Sequence, residues 1–102
     1  DSAEVAKSYN SIGTIYEKQG DCKNALRQYH KNLEIMLRVY GQKHPIVADS
    51  YHNIGVVYQK QGKGEKALDQ YNKALEIKIW VYGQDHPNVA DSKYGMGRVY
   101  VE

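Results

Sequence analysis

With 102 residues, 41% of them apolar and 25% charged, the chain has room for one compact unit with a thin core and is too apolar to stay disordered. Fourteen Lys and Arg against twelve Asp and Glu give a net charge of +2, with the two signs interspersed along the chain, which excludes a nucleic-acid footprint. A lone cysteine, Cys22, excludes an internal disulfide, and apolar runs of only a few residues exclude a membrane-spanning segment.

Taken in chain order, the first predicted helix covers 3–19, where Val5, Tyr9, Ile12, Gly13 and Tyr16 recur at helical spacing and predict a core-facing stripe. A second helix is predicted over 22–40. Gly41 then marks a left-handed helix end, and Pro45 suits the first turn of the next helix. The third predicted helix, 45–61, carries its stripe at Val47, Tyr51, Ile54, Gly55 and Tyr58. Gly62, Lys63 and Gly64 break it. The fourth, 65–82, has Ala67, Leu68, Tyr71, Ala74, Leu75, Ile79 and Tyr82 on one face, ending at Gly83. Pro87 opens a fifth helix, 87–101.

These elements repeat. VAKSYNSIGTIYEKQG from Val5 returns as VADSYHNIGVVYQKQG from Val47 and, in shortened form, as VADSKYGMGRVY from Val89, each 42 residues after the last. Residues 1–42 match 43–84 at 22 of 42 positions, which chance does not produce, so one two-helix unit explains the whole chain. We term the first helix of each unit A and the second B. Glycine within a helix costs about 1 kcal/mol relative to alanine. Its return at Gly13, Gly55 and Gly97, with Ala25 and Ala67 on the B helices, therefore implies close antiparallel packing that outweighs the cost. Nine of the ten tyrosines fall in periodic sets and are expected mainly in the core: Tyr9 and Tyr51; Tyr16, Tyr58 and Tyr100; Tyr29 and Tyr71; Tyr40 and Tyr82.

The run SYHNIGVVYQKQGKGEKALDQYNKALEI resembles a tetratricopeptide repeat through Tyr51, Ile54, Gly55, Tyr58, Gly62, Ala67, Tyr71 and Ala74. Its length, and the linker of glycine, an acidic residue, HP and VA, are similar to the 42-residue variant of kinesin light chains. The resemblance implies an all-α fold in which antiparallel helix pairs stack as a right-handed α-solenoid, with A helices lining a concave groove that holds peptides. It divides 1–102 into repeat one (5–46), repeat two (47–88) and the first helix of repeat three (89–102). Departures fall at Cys22 and Gly64, where the family often has Tyr, at Asn32 opposite the small Ala74, and at Lys93 and Gly95 in the third A helix.

If the apolar stripes face the core, helix geometry turns Lys7, Asn10, Thr14 and Glu17 away from it on the first A helix. Asp49, His52, Val56 and Gln59 follow on the second, and Asp91, Tyr94 and Arg98 on the third. This polar stripe is the candidate peptide-binding surface; a solvated helix face would look the same. Chaperone-binding members of the family grip a carboxylate with Lys, Asn and Arg on successive A helices. Only Asn53 stands at a matching place, with Asp91 and Gly95 where positive charges would be, so no such clamp is expected.

Catalysis is not expected. Asp49, Ser50 and His52 hold the letters of a hydrolytic triad, but on one helix Ser50 points about 100° away from Asp49 and the three cannot converge. His44 and His86 recur before proline as loop geometry, no metal-binding histidine spacing occurs, and no cofactor is expected. The expected function is a scaffold that binds a protein or peptide partner, without nucleic acid or membrane. The alternative is a structural solenoid segment acting through stacking or self-association. The single cysteine and the absence of a signal-peptide pattern favour the cytoplasm, and the chain reads as a fragment of a longer protein. The third A helix lacks a covering B helix, so self-association through it is expected. Far-ultraviolet circular dichroism should be dominated by helix, and a substantial sheet signal would overturn this reading.

Overall fold

The computed structural model describes residues 2–83. Four helices follow one another: α1 (Ala3–Lys18), α2 (Cys22–Tyr40), α3 (Pro45–Lys60) and α4 (Gly64–Tyr82). Each packs against its sequence neighbour, α1 with α2, α2 with α3 and α3 with α4. The expected fifth helix, 87–101, lies outside the described residues.

Local chemistry sets the ends. Ser2 accepts from the Val5 N–H at 3.3 Å, and Asp21 Oδ1 accepts from the Asn24 N–H at 3.2 Å, each satisfying a donor in the first turn. His44, expected only to shape a loop, caps α3 directly: its Nδ1 accepts from the Ile46 N–H at 3.1 Å while Pro45 occupies the first turn. The C-termini of α2 and α4 depart from the expected left-handed cap. Gly41 and Gly83 have φ of 84° and 87° but ψ of 179° and 168°, a glycine-only extended conformation that swings the chain out of the helix.

The pairs close on a glycine. An ideal Cβ on Gly13 would lie 2.7 Å from Tyr29 Cε1, and one on Gly55 the same distance from Tyr71 Cε1. Both rings are buried on these bare backbones. Between the pairs, Ile35 and Met36 of α2 meet Val47 and Ala48 of α3, and Ala25 and Tyr29 meet Ile54 and Val57.

Two expectations about the core are corrected. Val47 and Ile54 are fully buried, yet their counterparts Val5 and Ile12 are each 42% exposed. The reason is position, since α3 has a helix packed on each side, α2 and α4, whereas the main packing partner of α1 is α2 on one side. Of the described tyrosines, only Tyr29 and Tyr71 are fully buried; Tyr9, Tyr16, Tyr51 and Tyr58 are partly buried at the rim, and Tyr40 and Tyr82 are exposed. A phenol ring at the edge of a helix pair keeps its hydroxyl wet while its body covers apolar neighbours.

Asn32 is 3% exposed and bonded at both ends of its amide. Its Nδ2 donates to the Ala6 carbonyl of α1 at 2.7 Å, and its Oδ1 accepts from Ser50 Oγ of α3 at 2.6 Å, so one side chain ties three helices. Repeat-equivalent Ala74 lacks this reach.

The glycine seat yields a prediction. Gly55→Leu drives side-chain atoms into the Tyr71 ring and should destabilise the fold by about 1–3 kcal/mol despite its better helix propensity. Chemical denaturation reads the change, and unchanged or higher stability would refute the close-packing argument.

Candidate functional site

Residues at the third and fourth positions of a helix turn share a face, so Lys7, Asn10, Thr14 and Glu17 form one column on α1, and Asp49, His52, Val56 and Gln59 another on α3. The columns are stitched together. Asn53 Nδ2 donates to Asn10 Oδ1 at 2.9 Å, and Lys60 Nζ donates to Glu17 Oε2 at 2.6 Å, two bridges that each span 43 residues of sequence and join α1 to α3.

The same face reaches down to the B helices. Tyr29 donates its hydroxyl to Glu17 Oε1 at 2.7 Å, and Thr14 Oγ1 lies 3.1 Å from the Tyr29 hydroxyl oxygen. One repeat later, Tyr71 donates to Gln59 Oε1 at 2.8 Å, and the His52 ring packs on the Tyr71 ring with centroids 5.2 Å apart. Val56 packs against Ala67 and Tyr71. Lys7 and Asp49 are exposed, whereas Asn10, Thr14, Glu17, His52, Asn53, Val56 and Gln59 are half-buried. Asp91, Tyr94 and Arg98 lie outside the described residues.

The sequence reading turned this stripe away from the core and missed Tyr29, Tyr71 and Lys60 as members of it. Their signal was present, because Tyr29 and Tyr71 are one period apart, as are Lys18 and Lys60. A helix-period argument assigns tyrosine to the core and does not follow its hydroxyl to the rim. A second periodic contact sets Lys31 Nζ over the Tyr9 ring at 5.3 Å and Lys73 Nζ over Tyr51 at 5.6 Å.

The residues of the apparent triad do not meet. Ser50 is buried and donates its proton to Asn32, Asp49 is exposed, and His52 lies on Tyr71. No group of three or more His, Cys, Asp or Glu among the described residues could hold a metal ion, and none of the described helices is long and apolar enough to cross a membrane. A shallow depression of about 370 Å³ beside the α3–α4 turn is lined by Tyr58, Glu65, Lys66, Asp69 and Gln70, apart from the stitched columns.

Burial pushes the Tyr29 hydroxyl up to about 12 from an ordinary 10.0, and the Glu17 carboxylate adds to the rise while the Thr14 hydrogen bond opposes it. A phenol with a raised folded-state pKa stabilises the fold fully below pH 10.0, and this contribution is lost as pH climbs towards 12. Alkaline unfolding of the wild type should therefore begin above about pH 10 and be shallower in Tyr29→Phe, which itself loses about 1.5–3 kcal/mol at neutral pH with the bond to Glu17. Denaturation midpoints at pH 7 and pH 11 check both effects.

The fold is shared with solved structures of low sequence similarity. BtubC (BKLC) from P. vanneervenii superposes with a TM-score of 0.87 at 22% identity over 99% of this chain and 40% of its own. A Podosopora anserina protein assigned as a kinesin light chain, with nearly identical TPR-like repeats, gives 0.83 at 19% identity over 99% of this chain and 48% of its own. The chain thus spans less than half the length of either. A search of curated proteins found no match. The tetratricopeptide repeat family model matches residues 4–79, three-quarters of the chain, and with the two helix-turn-helix pairs this establishes the chain as a member of the tetratricopeptide repeat family, whose domains generally mediate protein–protein interaction and are generally non-catalytic.

Proposed function

We propose that the chain is a scaffold or adaptor module that binds a peptide or partner protein along the face shared by its A helices. The observation that carries this reading is the bridging of α1 to α3 by Asn10–Asn53 and Glu17–Lys60. It makes one continuous polar surface from two repeats, with hydrogen-bonding groups held in fixed positions. Half-burial matters here, because a side chain already ordered by neighbours loses less entropy when a ligand binds. Lys7 and Asp49 would supply charge at the exposed edge, and Asp91, Tyr94 and Arg98 would continue the surface in the third unit. Repeats at 5–46 and 47–88, with 89–102 opening a third, are the matching division. The cytoplasm is the proposed compartment, and self-association through the third A helix belongs to the same proposal.

The structural-solenoid reading is favoured by a different observation, the exposed apolar residues Val5, Ile12 and Ile15 on α1. A peptide-library pull-down separates the two, since an adaptor needs a saturable ligand. Alanine at Asn10, His52, Asn53 and Arg98 together should then weaken binding of the selected peptide at least about tenfold, equivalent to about 1.4 kcal/mol. Unchanged affinity would place the site off this face, and failure to recover any saturable peptide would favour the structural reading.

A further inference from the structure

The two B helices present opposite charge at equivalent places. Lys23 and Arg27 of α2 are replaced by Glu65 and Asp69 of α4 one 42-residue period later, while Lys31 and Lys73 share their sign. α2 carries the cations Lys23, Arg27, Lys31 and Arg38 against the single carboxylate of Glu34, whereas α4 balances its three lysines with Glu65, Asp69 and Glu76. Lys23, Arg27 and Lys31 follow one another at four-residue steps, are all exposed, and lie opposite the stripe of Ala25, Tyr29, Asn32 and Met36 that α2 buries. In α4 the last of these steps is an ion pair, Lys73 Nζ to Asp69 Oδ2 at 3.4 Å. In α2 the same step sets Arg27 beside Lys31, and like charges at that spacing destabilise a helix. Neither Lys23 nor Arg27 has an ion-pair partner among the described residues, and Glu34 is engaged by Arg38 at 3.0 Å.

From this reversal we infer that the outer face of α2 docks an acidic helix of a partner protein. The three cations form a column about 12 Å long, and carboxylates at the same four-residue steps on a second helix fall in register with it. Lys31 lies over the Tyr9 ring, with Nζ 5.3 Å from its centroid, which orders that side chain before a partner arrives. The ends of the column favour a short acidic helix over a nucleic-acid strand. Glu34 follows Lys31 on the same face and Asp21 caps the helix end before Lys23, so a polyanion running on past the column meets carboxylates. A second copy of this chain fits less well, because its α4 sets Lys73 in line with Glu65 and Asp69 and so places a cation against the column. None of Asn10, Glu17, Asn53 and Lys60, which stitch the A helices together, belongs to this face. Either surface can therefore fail without the other.

The probe is a labelled alanine-rich peptide with glutamates at successive four-residue steps, and its control carries glutamine at those places. Fluorescence anisotropy with the full chain at low salt should show saturable binding of the probe. Binding should weaken at least about tenfold for the glutamine control, and again in about 0.5 M salt. Lys23→Glu combined with Arg27→Asp should cost at least about tenfold as well. This pair copies Glu65 and Asp69, which the fold already holds at the equivalent places of α4, and circular dichroism checks that the variant is folded. The reverse pair, Glu65→Lys with Asp69→Arg, should add a second binding site for the probe. Alanine at Asn10, His52 and Asn53 together should leave its binding unchanged. Absence of saturable binding, binding that survives Lys23→Glu with Arg27→Asp, no added site in the reverse pair, or binding lost with the three alanines overturns the inference. So does tighter binding of a single-stranded oligothymidylate that the first pair abolishes, which would make a nucleic acid the ligand. A concentration-dependent dimer that the first pair dissociates also overturns it, since a second copy would then be the occupant.

Discussion

Each helix pair is held by a tyrosine ring lying on a glycine, and much else in the molecule follows from that contact. Gly13 leaves Tyr29 room to lie against the α1 backbone, and Gly55 does the same for Tyr71 on α3. The energetics favour the exchange. A glycine inside a helix costs about 1 kcal/mol, while burying the roughly 150–250 Å² of an aromatic side chain is worth on the order of 4 kcal/mol. Because the ring is pinned at that depth, its hydroxyl emerges at the polar face, where Tyr29 meets Glu17 and Tyr71 meets Gln59. Core packing and candidate binding face are thus two ends of the same side chain.

The contact between pairs is less uniform. Asn32 replaces the small residue that repeat two has at Ala74, and its amide links the Ala6 carbonyl to the Ser50 hydroxyl. A satisfied buried hydrogen bond adds only about 1 kcal/mol net, but leaving one partner unmade costs about 1–3 kcal/mol. Register errors that separate these groups are therefore penalised more than correct pairing is rewarded. An apolar face slides more easily than a face with one fixed amide, so Asn32 gives the α1–α2–α3 stack a single alignment.

Polar residues between the A helices would have a related effect on the peptide recognition proposed for this face. Asn10 and Glu17 are occupied by Asn53 and Lys60. A ligand crossing this face, as proposed, would meet groups whose orientation is already set, and one that displaced Asn53 or Lys60 would have to offer an equivalent partner. Under the proposed reading, such a surface would be more selective than a row of free polar side chains, since an imperfect ligand would leave half-buried groups without a partner.

The sequence by itself determined the elements and their order. Helices expected at 3–19, 22–40, 45–61 and 65–82 are observed at Ala3–Lys18, Cys22–Tyr40, Pro45–Lys60 and Gly64–Tyr82, because helical periodicity and Gly or Pro punctuation act within a few residues of where they are written. The repeat also disclosed the family and the close approach at Gly13 and Gly55. What only the tertiary structure decided is who covers whom. Val5 and Val47 are the same residue type in the same local pattern, yet one is 42% exposed and the other fully buried. Likewise, Asn10 and Asn53 are 43 residues apart and carry no mutual signal until stacking sets α3 beside α1. Burial and side-chain pairing depend on the neighbouring helix, and a local pattern repeated along a chain is silent about which of its copies has one.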